Sequence, residues 1–295
     1  MVDSKRIDCD FDYHAPGTLD EALTCLQEEG AAALAGGTDL INDLKMNNRR
    51  PRSLVYLPGI PELRIWEEAS SPQALKIGAA CTLRELERRL PRERFPALYT
   101  AVLAIGSPPI RNMATLAGNL CTASPAADTP PVLLVLAASL EIAGGNTNGK
   151  RRTVALKDFF TGPKQTSLKP GELVTAVLIP SPPPDSGTSY RRLARVSLDI
   201  AKISCAAFLE RAGRRVKTAR LALGAAAPTP MRAQAAEHCL QSGEGGPALW
   251  AEAAAAAAGE IRPISDIRSS EAYRRRVAAV LVREALEEAW QRAGG

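Results

Sequence analysis

Residues 107–144, SPPIRNMATLAGNLCTASPAADTPPVLLVLAASLEIAG, limit the fold of this chain more than any other stretch. Turn formers and small polar residues are set here between two apolar runs, so the segment is neither one continuous helix nor one strand. Within it, Thr115-Leu116-Ala117-Gly118-Asn119 joins small residues to a hydroxyl and an amide, and Asp128 follows nine positions after Asn119. Small residues leave backbone N–H groups open to an anion. Thr115 and Asn119 can add side-chain hydrogen bonds, and Asp128 can accept from sugar hydroxyls. A polar loop joining two buried elements accounts for the same residues.

A second corner of similar character lies upstream. Leu34-Ala35-Gly36-Gly37-Thr38-Asp39-Leu40 places a glycine pair where a short apolar run (31–35) turns into the helical stretch DLINDLKMNN. Two glycines there allow close backbone approach to a ligand, and the helix start offers unpaired N–H groups. It is not GxGxxG, and it lacks the Lys-Ser/Thr ending of a phosphate loop. A tight turn capped by Thr38 explains it equally well in isolation. Two such loops in one chain fit a dinucleotide pyrophosphate held between two lobes.

The rest of the chain frames these loops. Thr18 caps a helix beginning at Leu19 and stopped by Gly30, and 54–58 reads as a strand. A strand near 75–81, a helix from Thr82 and an Ala-rich helix after Pro96 lead into the loop segment. Strand-like pieces follow at 153–156 and 173–179. The stretch 181–189, with three consecutive prolines at 182–184, is the best linker candidate. Beyond it come strands at 202–210 and 215–224 and helices at 232–241, 248–258 and 271–292, the last with Tyr273, Val277, Val280 and Leu281 on its apolar side. The expected class is α+β, with a larger region 1–182 in two lobes (about 1–60 and 61–182) and a smaller domain 183–295.

Composition removes several functions. The net charge of +5 over 295 residues is too slight to name a nucleic-acid partner, and the short basic runs 49–52 and 149–152 read as solvated element ends. The longest apolar run, 132–140, falls far below the ~20 residues a membrane span needs. The first residues carry no signal-like stretch, so a cytoplasmic protein is expected. Cys9, Cys25, Cys81, Cys121, Cys205 and Cys239 are scattered without metal-site spacing. No metal is expected on this chain, and His14 and His238 read as surface or cap residues rather than catalytic groups.

AGGTDL…LK (35–45), IRNMATLAGNLCTASPAADTPP (110–131) and DFFTGP…TSLKPGELVTAVLIP (158–180) together resemble the FAD-binding medium subunit of the molybdenum hydroxylases, the xanthine dehydrogenase and carbon monoxide dehydrogenase type. YRRLARVSLDIAKIS (190–204) and SSEAYRRRVAAVLVREAL (269–286) are similar to that subunit's C-terminal domain. The resemblance implies a two-lobed FAD-binding fold of the vanillyl-alcohol oxidase type, followed by a smaller flavoprotein C-terminal domain. It implies FAD with its pyrophosphate against 34–40 and 115–119, Asp128 as a cofactor contact, and Ile105 near the flavin. Val174 and Arg191 match two further cofactor positions, although the relatives carry lysine at the latter. Ala117 stands where the family has glycine, which is acceptable if the position only has to be small.

The implied role is electron transfer. A large molybdopterin subunit oxidises the substrate, and a small subunit with two [2Fe–2S] clusters relays electrons. FAD on this chain then passes them to NAD, a quinone or O2, in what the resemblance suggests is a dimer of heterotrimers. No catalytic acid or base is required of this chain. A self-contained flavin oxidoreductase of the same fold is the alternative.

Overall fold

A computed structural model describes residues 6–70, 73–144, 151–241 and 243–294. The chain opens with a parallel three-stranded sheet of β1 (Asp12–His14), β2 (Ala31–Leu34) and β3 (Ser53–Tyr56), in the order β1-β3-β2. Between β1 and β2 runs α1 (Leu19–Leu26). Its Thr18 hydroxyl accepts from the Glu21 N–H, Asp20 and Glu21 meet the positive end of the helix, and Leu19, Ala22, Leu23 and Leu26 form its buried stripe. After β2 the Gly36-Gly37 corner leads into the short helix α2 (Leu40–Lys45).

The main body is built on an antiparallel sheet. Its strands are β4 (Trp66–Ser70), β5 (Gln73–Gly78), β6 (Ser139–Gly144), β7 (Arg152–Ala155) and, after the small hairpin β8 (Phe160–Gly162) and β9 (Gln165–Thr166), β10 (Glu172–Pro180). The order β4-β5-β10-β6-β7 puts β10 in the middle, which suits its continuous apolar run: residues 173–177 are buried on both faces. β4, with Glu67 and Glu68, lacks an apolar alternation and is legible only as an edge strand. Five helices lie between β5 and β6: α3 (Leu83–Arg89), α4 (Pro96–Ala104), α5 (Pro108–Met113), α6 (Leu116–Thr122) and α7 (Thr129–Val135).

The C-terminal part is an antiparallel sheet of β11 (Ser186–Leu193), β12 (Ile203–Ala212), β13 (Arg215–Gly224) and β14 (Met231–Arg232). It is backed by α8 (Gln234–Leu240), α9 (Pro247–Glu260) and α10 (Glu271–Arg292). Strand alternation divides its side chains between two cores. Ile203, Cys205, Ala207 and Leu209 pack with the helices, while Ala206 and Phe208 join the core of the main body.

Two expectations need correction. The linker expected at 181–189 is shorter: β11 already starts at Ser186, and only 181–185 lie between β10 and β11. The small residues after the prolines are strand because they let α10 lie directly on β11. A Cβ on Gly187 would stand 2.0 Å from the Ala289 carbonyl oxygen, and Ser189 donates its hydroxyl to the Ala285 carbonyl at 2.7 Å. The apolar side of α10 is the expected one only in part: Leu281 is buried and Val277 packs against the core, but two of the four residues turn outward. Tyr273 and Val280 are 42% and 40% exposed, whereas Ala278, Leu281, Val282, Ala285, Leu286 and Ala289 are buried. Alanines at 278, 285 and 289 permit the close helix–sheet spacing, and Leu281, Val282 and Leu286 fill the core between them.

Replacing Gly187 with alanine is therefore expected to push α10 off β11. The cost is about 1–3 kcal/mol of stability, read as a lowered midpoint in denaturant unfolding. An unchanged midpoint contradicts this packing.

Candidate functional site

The two small-residue loops meet. A Cβ on Gly36 would fall 1.9 Å from the Met113 carbonyl oxygen and 2.8 Å from the Ala114 Cα, so only glycine lets the first corner rest on the backbone between α5 and α6. Gly37 does a different job, taking φ +71, a left-handed conformation that glycine adopts without strain. Thr122 on α6 donates its hydroxyl to Asp39 Oδ2 at 3.2 Å and closes the contact from the other side.

This corner carries spare donors. Neither Thr38 nor Asp39 caps α2: Asp39 makes no side-chain capping bond, and Thr38 contributes only its carbonyl, to Asn42 Nδ2 at 2.8 Å. The cap by Thr38 is thus not formed. The N–H groups of Gly36, Gly37, Thr38 and Asp39 donate to no group among the described residues. Unpaired N–H groups flanked by glycine and alanine suit the oxygens of a phosphate or pyrophosphate.

On the facing loop, Thr115 caps α6 by accepting from the Gly118 N–H at 3.0 Å. Gly118 also keeps the gap narrow, since a Cβ there would stand 2.9 Å from Thr115 Oγ1 and 3.9 Å from the Ala35 Cβ. Ala117 is helical and buried, and its φ is not positive, so alanine sits at this position without backbone strain. The Asn119 side chain is engaged inward, its Oδ1 accepting from the Thr129 hydroxyl at 2.6 Å. Leu34, Ala35 and Leu40 flank the first corner, and Leu116 is buried in the main core.

Asp128 lies deeper. It is 8% exposed, and it ties the main body to β11: Tyr190 donates its hydroxyl to Asp128 Oδ1 at 2.5 Å, and Arg192 Nε stands 3.6 Å from the same oxygen. Burial pushes its carboxyl up to about 6, against the opposing pull of the Tyr190 hydrogen bond and the Arg192 charge. Burial and the neighbouring carboxylate likewise hold the Tyr190 phenol well above its usual range.

Ile105 ends α4, half-buried, on a corner held by two arginines. Arg111, only 7% exposed, donates Nη1 to the carbonyls of Ile105 at 3.1 Å and Gly106 at 3.0 Å, while its Nε meets Glu87 Oε2 at 3.1 Å. Arg192 Nη1 reaches the Ala104 carbonyl at 2.7 Å. Val174 is buried in β10, the strand against which α6 packs. Arg191 is not brought into this group. It is paired with Glu288 of α10 at 3.1 Å, because strand alternation sends it to the face opposite Tyr190 and Arg192. Tyr190, Arg192 and Arg111 are the participants that motif reading passes over. The period-2 register of 186–193 is the signal for the first two, whereas nothing in the pattern marks Arg111 as buried.

The remaining candidates serve elsewhere. Of the basic run 149–152, residues 149 and 150 lie outside the described residues, Arg151 stands 3.9 Å from Glu141, and Arg152 pairs with Glu172 at 2.7 Å. His14 Nε2 lies 3.9 Å from Glu28, and His238 sits in the last turn of α8. No helix among the described residues is long and apolar enough to cross a membrane.

Comparison with known proteins gives this geometry a context. Residues 9–182 match the family described as FAD binding domain in molybdopterin dehydrogenase, and residues 188–289 match the CO dehydrogenase flavoprotein C-terminal domain. The chain is 33% identical over 290 residues to the putative xanthine dehydrogenase FAD-binding subunit of Escherichia coli K12, covering 96% of this chain and 97% of that one. It is 32% identical to the carbon monoxide dehydrogenase medium chain of Hydrogenophaga pseudoflava, at 96% and 98% coverage. Among solved structures, carbon monoxide dehydrogenase from Hydrogenophaga pseudoflava superposes with a TM-score of 0.92 at 32% identity, covering 97% of this chain and 99% of that one. Quinoline 2-oxidoreductase from Pseudomonas putida 86 gives 0.89 at 29%, with 96% and 98% covered.

Raising the Asp128 proton affinity on folding makes stability depend on pH. The folded state holds the proton more tightly than the unfolded chain. Its contribution is therefore full below about pH 4 and is lost as pH rises through about 6, in total roughly 3 kcal/mol. Asp128→Asn removes that loss. Unfolding in denaturant at pH 4 and pH 7 is expected to show the wild type losing stability relative to the variant as pH rises. A pH-independent difference contradicts the assignment.

Proposed function

Because this chain belongs to the family of FAD-binding subunits of the molybdopterin dehydrogenases, we propose that it takes electrons from a partner subunit and passes them through FAD to an external acceptor. The protein is an oxidoreductase subunit and FAD is its cofactor. The observation that carries the finer reading is the pair of abutting small-residue loops, with the free N–H groups of residues 36–39 on one side and α6 on the other.

The residues of the cleft fit the cofactor. The N–H groups of Gly36, Gly37, Thr38 and Asp39 would hold the pyrophosphate oxygens, and Ala35, Ala117 and Gly118 would keep side chains out of their way. Thr115, Leu116 and Asn119 shape the opposite wall, and Leu34 and Leu40 border the first corner. Asp128, Ile105 and Val174 would be further contacts to the cofactor, whereas Arg191, paired with Glu288, would meet it only from the edge of the C-terminal domain. Bound FAD exchanges one or two electrons, which suits a relay between single-electron and two-electron partners. The chain's own residues bind, orient and shield. None is called on to move a proton to or from an organic substrate.

The assembly that follows is a small subunit with [2Fe–2S] clusters, a large molybdopterin subunit and this chain, paired as a dimer of heterotrimers in the cytoplasm. NAD, a quinone or O2 is the final acceptor. Substrate choice then belongs to the large subunit.

Two experiments test this. The isolated chain loaded with FAD is expected to keep its visible flavin absorbance when organic substrates are added, and to lose it only within the assembled complex. Rapid substrate-driven bleaching of the isolated chain instead establishes a self-contained flavin enzyme. Gly36→Ala is expected to lower FAD occupancy about tenfold or more through displacement of the corner from the Met113 carbonyl. Full occupancy in a folded variant removes the corner from the binding site.

A further inference from the structure

The face of α10 turned away from the core is partly apolar and carries arginines unpaired among the described residues. It lines an open groove of about 860 Å³, with Ala279 and Val280 forming a small apolar floor between Arg276 and Arg283. Another arginine on the groove, Arg275, is already engaged: it donates to the Ala258 carbonyl at 2.6 Å and pairs with Glu271 at 2.9 Å. Arg276 and Arg283 make no hydrogen bond or ion pair among the described residues. They stand two helical turns apart, about 10 Å along the axis. With Glu271 offset by Arg275, the groove keeps an excess of positive charge on these two side chains.

Beside the groove rises a rigid turn. The Asp266 carboxylate accepts from the Arg268 N–H at 2.8 Å, the Ser269 N–H at 3.1 Å and the buried Arg274 guanidinium at 2.7 Å. This turn, flanked by the groove residues Ser265 and Ser270, holds Ile267 99% exposed, with Ile264 close in sequence at 68%. A large aliphatic side chain kept in water by a stapled turn has no role in the fold. It is already ordered, so little conformational freedom is lost when a partner covers it.

We propose that this groove and the Ile267 turn form the docking surface for a partner subunit of the complex. The matching segment of the partner presents carboxylates about 10 Å apart over a small apolar centre, with an apolar pocket for Ile267. A docking surface of this kind rests on the chain's being one subunit of a larger assembly. A second copy of this chain is a poor occupant, because two-fold pairing would set the free arginines of each groove against those of the other. Two unpaired arginines without an aromatic platform are also too few for nucleic acid.

The test uses the complex purified through a tag on this chain. Arg276→Glu/Arg283→Glu and Ile267→Asp are each expected to weaken retention of the partner subunits about tenfold or more while FAD content stays at the wild-type level. In an Arg276→Lys/Arg283→Lys variant, carbodiimide is expected to join one of the new amines to a carboxylate of a partner subunit. Partner retention at wild-type strength in all variants overturns the docking surface alone. So do cross-links confined to this chain or its own second copy. A wild-type chain that holds FAD but brings down no partner overturns the subunit role and the docking surface together.

Discussion

One absent carbon governs the cleft. Gly36 rests so closely on the Met113 carbonyl that any side chain would separate the parallel lobe from the backbone between α5 and α6. From that contact follow the alignment of the two small-residue loops, the exposure of the N–H groups at 36–39, and the reach of Thr122 to Asp39. Gly37 adds the left-handed step that turns the chain into α2. A helix start left uncapped by its own side chains is a cost in an isolated protein and an advantage where an anion is to be bound.

The second organising contact is buried and polar. Tyr190 and Arg192 on β11 converge on Asp128, so the C-terminal sheet is joined to the main body through a carboxylate rather than through apolar packing alone. The same Arg192 holds the Ala104 carbonyl, and Arg111 holds those of Ile105 and Gly106. The corner at the end of α4 is thus fixed from two directions, one of them the C-terminal domain. Burial of Asp128 raises its proton affinity and favours the protonated carboxyl, while the Tyr190 hydrogen bond and the Arg192 charge pull toward the carboxylate, so this junction trades desolvation against its own polar contacts.

Much of this was legible in the residues. Thr18 and Thr82 cap the helices they were expected to start, the apolar run in β10 is the central strand, and the two small-residue motifs are the two loops that touch. What escaped has common physical causes. The strand start at Ser186 looked like loop, because Gly187 and Ser189 are turn formers by habit and close-packing residues in this context. The inner stripe of α10 was only half legible, because alanines supply much of it while the larger Tyr273 and Val280 face out. Arg191 drew attention through its motif, yet its neighbours Tyr190 and Arg192 reach Asp128, a distinction only strand register makes. The burial of Arg111 depends on carbonyls brought to it by the tertiary fold, and no local pattern announces it.

On the proposed reading, these contacts serve to hold FAD between two loops and two domains, and substrate chemistry belongs to a partner. Hydrogen exchange of the isolated protein with and without FAD tests that account most directly. Residues 34–40 and 115–122 are predicted to gain protection together on FAD binding, with the amides of Gly36 to Asp39 slowed most. FAD that binds without slowing exchange at those amides, or that protects a different part of the chain, contradicts it.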